Sequence, residues 1–170
     1  MEQNVIKKQV RRMSQEEAFR MNGKIPPQAI EIEESVLGAL LLDQNAITNA
    51  IAILRAEYFY VEENQFIYYA ITSLFREGNP VDLLSVAEQL KKDGKFDEVG
   101  GLNKLVSLTS RITSAAHIEY HVRILSEKYI QRELIRVSTE TLKDSYDETM
   151  DVPLLCISAR VTSLFRFLLL

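Results

Sequence analysis

The sequence predicts an all-α fold, with a globular head of short helices followed by a projecting helical hairpin. Apolar residues, which are 46% of the chain, recur at helical spacing along most of its length. Six glycines and four prolines are too few for the many turns of an all-β fold. A length of 170 residues suits one ordinary domain with an appended arm.

Residues 1–24 are predicted to be a flexible basic arm, because they carry six basic and three acidic residues and few clustered apolar ones. Basic groups of this kind can contact nucleic acid or a membrane, but a solubilising tail is the favoured interpretation. The basic group consists of Lys7, Lys8, Arg11 and Arg12.

The helical head is predicted over residues 25–111. Its first helix, residues 27–42, begins at Pro26-Pro27, carries glutamates in its early turns and ends at Asp43. Ser85 and Glu88 have the spacing of a capping box for a later helix, which Gly94 closes. The other predicted helices of the head cover residues 46–54, 63–77, 85–92 and 102–110.

Residues 112–170 are predicted to form the hairpin, with a long helix over about 115–145 and a return helix over about 153–169. About 30 helical residues span roughly 45 Å, which exceeds the width of a small domain. The apolar stripe of so long a helix needs a partner helix, supplied by the return helix or by a second copy of the chain. The residues expected in this dimer or hairpin packing are Leu125, Leu134, Leu142, Ile157, Val161 and Leu164.

The charge distribution, the single cysteine and the apolar C-terminal segment each indicate which partners and which cellular location the chain is suited to. Residues 31–100 carry five basic and thirteen acidic residues, a composition that disfavours DNA binding and suits a basic protein partner. The single cysteine, Cys156, excludes an internal disulfide, and no secretion signal opens the chain, so we expect a cytoplasmic protein. A membrane span over residues 152–170 is rejected because Arg160 and Arg166 interrupt it.

No residue pattern indicates catalysis, a cofactor site or a metal site. His117 and His121 share a helix face, but the sequence around them offers no third ligand for a metal ion. Cys156 has apolar neighbours, which favour a packing role for this side chain. The 170 residues contain no phosphate-binding P-loop. The aromatic group around Tyr58, Phe59, Tyr60, Tyr68 and Tyr69 lacks interleaved basic residues, so packing is favoured over stacking on single-stranded DNA.

An ordered series of short motifs resembles one family. Ile25-Pro26-Pro27-Gln28 with Ser35-Val36-Leu37-Gly38-Ala39 resembles the opening of a DnaB-type replicative DNA helicase. Tyr58-Phe59-Tyr60, Gly78-Asn79-Pro80-Val81-Asp82-Leu83, Glu98-Val99-Gly100-Gly101-Leu102 and Ser114-Ala115-Ala116-His117-Ile118-Glu119-Tyr120 follow in the family's order and spacing. After Asp151 the chain departs from the family pattern, since residues 152–170 hold no acidic residue, two arginines and thirteen apolar residues.

The resemblance implies an N-terminal domain that forms a collar above a motor ring, pairs with itself and docks the C-terminal domain of primase. It implies primase contacts near Glu31, Lys104 and Ile135, although Lys104 stands where the family can have an aromatic residue. No motor domain is present, so we expect a fragment that binds no cofactor and does not unwind DNA. The parent protein would use ATP and Mg²⁺ to unwind DNA during replication.

The sequence is compatible with two other functions. A small DNA-binding domain of the helix-turn-helix type is the main alternative, because the third to fifth predicted helices, between residues 63 and 110, are short. A small hydrolase or metal enzyme is a weaker alternative, because no nucleophile–base pair or ligand set supports it.

Overall fold

The computed structural model describes residues 14–110 and 117–146, in which the secondary structure is helical and contains no strand. The predicted all-α class is therefore confirmed for this part of the chain. The α-helices are α1 (Gln15–Asn22), α2 (Ile30–Leu42), α3 (Gln44–Ile51), α4 (Glu62–Arg76), α5 (Leu83–Lys92), α6 (Gly101–Ser110) and α7 (Ile118–Ser145), and a 3-10 turn covers Ala56–Tyr58. The predicted return helix at 153–169 lies outside the described residues.

The chain divides into two compact units, and the division falls within α7. The head unit is Pro27–Gln131, and the α1–α7 unit contains the described residues 14–26 and 132–146. This division differs from the predicted boundary at residue 111. The first half of α7 belongs to the head because Ile118, Val122 and Leu125 pack into the head's hydrophobic core.

The core of the head is formed mainly by the apolar faces of α2, α4, α5 and α6, with α3 and the first half of α7. These faces follow the helical periodicity of the sequence, so each helix buries one stripe against its neighbours. Its most deeply buried side chains include Leu37, Leu40, Phe59, Ile47, Ile67, Ile71, Leu90, Leu105, Leu108 and Leu125.

Asp43 separates two helices of the head and caps the second. Its backbone N–H donates to the Ala39 carbonyl at the end of α2, while its carboxylate accepts from the Asn45 N–H at 2.8 Å at the start of α3. One residue thereby satisfies backbone groups of both helices. Gly94 closes α5 with a φ of 68°, as the sequence predicts.

The cap of α5 differs from the predicted Ser85–Glu88 capping box. Asp82 is the N-cap, since its carboxylate accepts from the Ser85 N–H at 2.8 Å and from the Ser85 hydroxyl at 3.0 Å. The backbone hydrogen bond from Ser85 is the main reason why the pKa of Asp82 is lowered. Glu88 instead pairs with Lys91 at 2.9 Å. Asp82 lies three residues before Ser85 and has the extended backbone of an N-cap, whereas Ser85 already lies inside α5.

The prediction of a flexible arm over residues 1–24 is wrong for residues 15–22, which form α1. Ser14 and Glu17 make a capping box, with the Glu17 N–H donating to the Ser14 hydroxyl and the Ser14 N–H donating to the Glu17 carboxylate. Gly23, with a φ of 61°, closes the helix, and Ala18 and Phe19 are buried. The prediction was based on the many charged residues of this segment. It did not take into account that Ala18 and Phe19 are apolar neighbours, or that Ser14 and Gly23 can cap the two ends of a short helix.

The buried phenol of Tyr68 provides a pH-dependent test of the head's core. Its hydroxyl donates to the Leu54 carbonyl at 3.0 Å, and burial, partly offset by Arg76, raises the pKa of Tyr68 to about 12. Because the unfolded chain ionises this group near pH 10 and the folded chain does not, its contribution is complete below pH 10 and lost as the pH rises towards 12.

We expect wild-type protein to lose up to about 2 kcal/mol more stability than Tyr68→Phe between pH 9 and about 12. Urea unfolding across this range measures the difference between the two proteins. Other alkaline groups titrate equally in both and therefore cancel. Parallel stability curves would contradict the assignment.

Candidate protein-interaction surfaces

Glu33 is a buried carboxylate that joins two helices of the head. Only 1% of the residue is exposed, and its carboxylate accepts from the Tyr60 N–H at 2.6 Å, the Val61 N–H at 3.3 Å and the Asn64 side-chain amide at 2.9 Å. The N-cap position of α4 makes no side-chain capping bond of its own, so Glu33 supplies this function from α2.

Sequence reasoning missed this role, because it treated Glu33 only as one of several charges near the start of a helix. The sequence did indicate that Glu33 is buried. Glu33, Leu37 and Leu40 follow one another at steps of four and three, so Glu33 lies on the same face of α2 as the two buried leucines. A carboxylate on the buried face of a helix needs hydrogen-bond or charge partners, because burial of an unpaired charge is costly.

Glu31, a predicted docking residue, is exposed in the first turn of α2. Its neighbour Glu34 forms an ion pair with Lys104 of α6 at 2.5 Å, and both side chains are mostly shielded from solvent. Lys104, the second predicted docking residue, therefore links α2 to α6. The exposed side of α6 instead presents Leu102 and Val106, one helical turn apart.

The aromatic group of the head serves mainly for packing, as the sequence predicts. Tyr58 stacks on Tyr129 of α7 with ring centroids 4.5 Å apart, and Phe59 contacts Tyr68 at 5.0 Å. These four side chains are buried or half-buried, whereas Tyr69 is exposed. The stack ties the 3-10 turn to the first half of α7 within the head unit.

A polar cleft of the head is lined by Asp43, Asn45, Asn49, His117 and Glu119. In the part of the chain that the structure describes, no group of three His, Cys, Asp or Glu side chains could hold a metal ion. Nor is any described helix both long enough and apolar enough to cross a bilayer.

In the α1–α7 unit, a charged network lies along α7. Arg136 donates to Glu133 at 2.9 Å and to Glu140 at 3.0 Å, and all three side chains are mostly shielded. Burial opposes the charge of Glu133, yet hydrogen bonds from Arg136 and Gln15 outweigh it and lower the pKa of that carboxyl. Burial likewise opposes the charge of Arg136, but Glu133 and Glu140 raise the pKa of the guanidinium.

The predicted packing residues of α7 fall into two groups. Leu134 and Leu142 are 45% and 59% exposed, and Ile135, the third predicted docking residue, is half-buried. Leu125 is only 1% exposed and belongs to the head core, so its prediction as a dimer or hairpin residue is corrected. The physical reason is that the first half of α7 is covered by other helices of the same chain. Ile157, Val161 and Leu164 lie outside the described residues.

Comparison with known proteins gives consistent matches. The family model for the DnaB-like helicase N-terminal domain matches residues 25–127. The chain is 43% identical to the replicative DNA helicase DnaB of Rhodothermus marinus over 129 residues, which cover 76% of this chain and 14% of the relative. It is 40% identical to the replicative DNA helicase DnaC of Bacillus subtilis, over 78% of this chain and 30% of that relative.

The fold matches as well. The crystal structure of the N-terminal domain of DnaB helicase from Mycobacterium tuberculosis superposes with a TM-score of 0.77 and 34% identity, covering 80% of this chain and 96% of that one. A DnaB-like replicative helicase whose structure was studied with its interactions with primase shares the fold, with a TM-score of 0.66 and 24% identity. The chain thus spans a small part of the full-length helicases and nearly all of an isolated N-terminal domain.

Proposed function

Because the chain belongs to the DnaB-like helicase N-terminal domain family, we propose that it is the self-assembly and primase-docking module of a replicative DNA helicase. The family match over residues 25–127 carries this proposal. It favours a docking module over the helix-turn-helix alternative. The acidic balance of residues 31–100 also disfavours direct contact with DNA phosphates.

Self-association would use the exposed side of α7. Leu134 and Leu142 lie about two turns apart on a long helix and are too exposed to be core residues. A second copy can cover this strip in a two-fold arrangement, in which the same residues serve both partners. Apolar area buried between the two copies contributes about 25 cal/mol per Å² to the free energy of association. The entropy lost when the copies associate opposes this contribution. Ile157, Val161 and Leu164 would extend the same interface.

For docking of the primase C-terminal domain we propose two separate contacts, Glu31 in the head unit and Ile135 in the α1–α7 unit. Glu31 is exposed and acidic, so it can attract a basic partner. Lys104 would act indirectly, by holding Glu34 and the start of α2 in place. The structural neighbour studied with primase supports this choice of partner.

The remaining activities belong to the proposed parent protein. Its motor domain would bind ATP and Mg²⁺, contact DNA and couple hydrolysis to unwinding in the cytoplasm during replication. The N-terminal domain would organise that motor into a ring.

Replacing Ile135 by aspartate should weaken association by about tenfold to a hundredfold, because a charge is placed where an apolar side chain is expected to be covered. Sedimentation velocity measures self-association, and calorimetric titration with a primase C-terminal domain measures docking. Far-UV circular dichroism should show an intact helical fold.

Leu84→Asp is the matched control. It introduces the same charge at an exposed leucine of α5, outside the proposed interface, and should leave both affinities unchanged. If folded Ile135→Asp protein retained wild-type affinity for both partners, the proposed role of Ile135 would be refuted.

A further inference from the structure

A second cleft of the head lies where α4, the 3-10 turn and the C-terminal end of α5 meet. Its volume is about 360 Å³, and small-ligand sites occupy about 300–1,000 Å³. Apolar groups form much of its lining, namely the buried Leu90, the half-buried Ala56 and Phe66, and the ring of Tyr69. A side chain with an apolar stem can lie along such a surface while its polar end stays at the rim.

The aromatic wall of this cleft already holds one cation. The Lys95 ammonium lies 4.2 Å from the centroid of the Phe66 ring and pairs with Glu98 at 2.6 Å. The carboxylate of Glu98 compensates the charge of Lys95, so this lysine does not make the cleft positive. The contact also shows that a cation is accommodated on a ring face at this wall.

Tyr69 offers a second ring, one turn of α4 after Phe66. The residue is 61% exposed, and its ring has no stacking or cation partner among the described residues. An exposed ring of this kind can stack on a cation. The guanidinium of arginine suits it better than an ammonium does, because it is planar and more weakly hydrated.

An uncompensated negative charge lies at the rim of the same cleft. Asp93 accepts from the Gln89 side-chain amide at 3.0 Å and has no ion pair in the described part of the chain. It occupies the C-cap of α5, where the helix dipole adds partial negative charge. The Gln65 amide donates to the Phe59 carbonyl at 2.8 Å, which leaves its own oxygen as an acceptor.

The surroundings also favour a cation over an anion. Residues 31–100 carry thirteen acidic and five basic residues, so the head attracts basic segments and repels acidic ones. Two lysines end α5, but Lys91 is paired with Glu88 at 2.9 Å and Lys92 does not line the cleft. A carboxylate, an amide oxygen and a ring face together are groups that a guanidinium recognises.

We propose that this cleft is a docking site for an arginine side chain of a basic protein segment. The arginine stem lies on Leu90 and Ala56, and the guanidinium stacks on Tyr69 and pairs with Asp93. The site uses none of the residues proposed for self-association or primase docking. It therefore goes beyond the proposed function and does not depend on it.

N-acetyl-arginine amide is the probe, and N-acetyl-citrulline amide, which has a similar shape but no charge, is its control. With the isotope-labelled full chain, the arginine compound should shift the NMR amide signals of Gln65, Tyr69 and Asp93. Saturation is expected at roughly 1–10 mM, an affinity that suits a single side chain. The citrulline compound should bind at least about fivefold more weakly, because it cannot form an ion pair with a carboxylate.

Variants at exposed positions identify the two recognition groups. Tyr69→Ala should weaken binding of the arginine compound by about threefold, whereas Tyr69→Phe keeps the ring and should stay within about twofold of wild type. Asp93→Asn should weaken it by about fivefold. Asp97→Asn removes the same charge from an exposed position that does not line the cleft and should match wild type. Circular dichroism checks that each variant is folded.

Selective loss of binding in Tyr69→Ala and Asp93→Asn supports the arginine site. Equal affinities for the arginine and citrulline compounds would show that the cleft is only an apolar groove and would overturn the inference. Signal shifts confined to other parts of the chain, or no binding of the arginine compound at millimolar concentration, overturn it as well. So does a folded Asp93→Asn protein that binds as tightly as wild type.

Discussion

Replacing Glu33 by alanine should lower the free energy of unfolding by about 3–5 kcal/mol. The change leaves two backbone N–H groups at the start of α4 and the Asn64 amide without their acceptor. Each unmade hydrogen bond to a buried group costs about 1–3 kcal/mol, and more where the lost partner is charged. Urea unfolding followed by circular dichroism measures the change.

Two further variants make this result specific. Glu31→Ala removes the same side chain from an exposed position of the same helical turn and should cost less than about 1 kcal/mol, since only a helix-dipole contribution is lost. Glu33→Gln should fall between the two, because the amide retains one acceptor oxygen but turns a donor towards donors. Equal stabilities of Glu31→Ala and Glu33→Ala would show that Glu33 does not cap α4.

Replacing Leu125 by alanine should cost about 2–5 kcal/mol, because the side chain is almost fully buried in the head core and its removal leaves a cavity. Differential scanning calorimetry or urea unfolding measures the loss. Association measured well below the unfolding transition should be unchanged, since Leu125 is not accessible to a second copy.

Leu142→Ala is the counterpart on the same helix. At 59% exposure it should change stability by less than about 0.5 kcal/mol, and it should weaken self-association if the proposed interface is used. A reversed pattern, with Leu142→Ala destabilising and Leu125→Ala weakening only the dimer, would contradict the assignment of the first half of α7 to the head.

Leu125→Ala and Leu142→Ala test the division of α7 between the two units. Helical periodicity alone does not predict this division. Leu125 and Leu142 belong to the same predicted apolar stripe, and both satisfy the spacing of a buried face. Periodicity reports which residues share a side of a helix, but it does not report where the covering helices end. Only the packing of the head distinguishes them.

Local chemistry, by contrast, was readable from the sequence where it involved close neighbours. The glutamate-rich start and Asp43 end of α2, the stripe of α4 and the closing Gly94 of α5 all depend on residues within a few positions of one another. The cap of α5 was misassigned because Asp82 and Ser85 both fit an N-cap, and their competition is settled by backbone conformation.

The sequence by itself determined the all-α class, most helix positions and, through its ordered motifs, the family. These depend on local propensity, periodicity and residue order, which act along the chain. The tertiary structure alone decided that Glu33 caps α4, that Lys104 is engaged by Glu34, that α1 docks on α7 and that Leu125 is a core residue. Each of these depends on groups distant in sequence meeting in space, and the free energy of burying or pairing them arises only there.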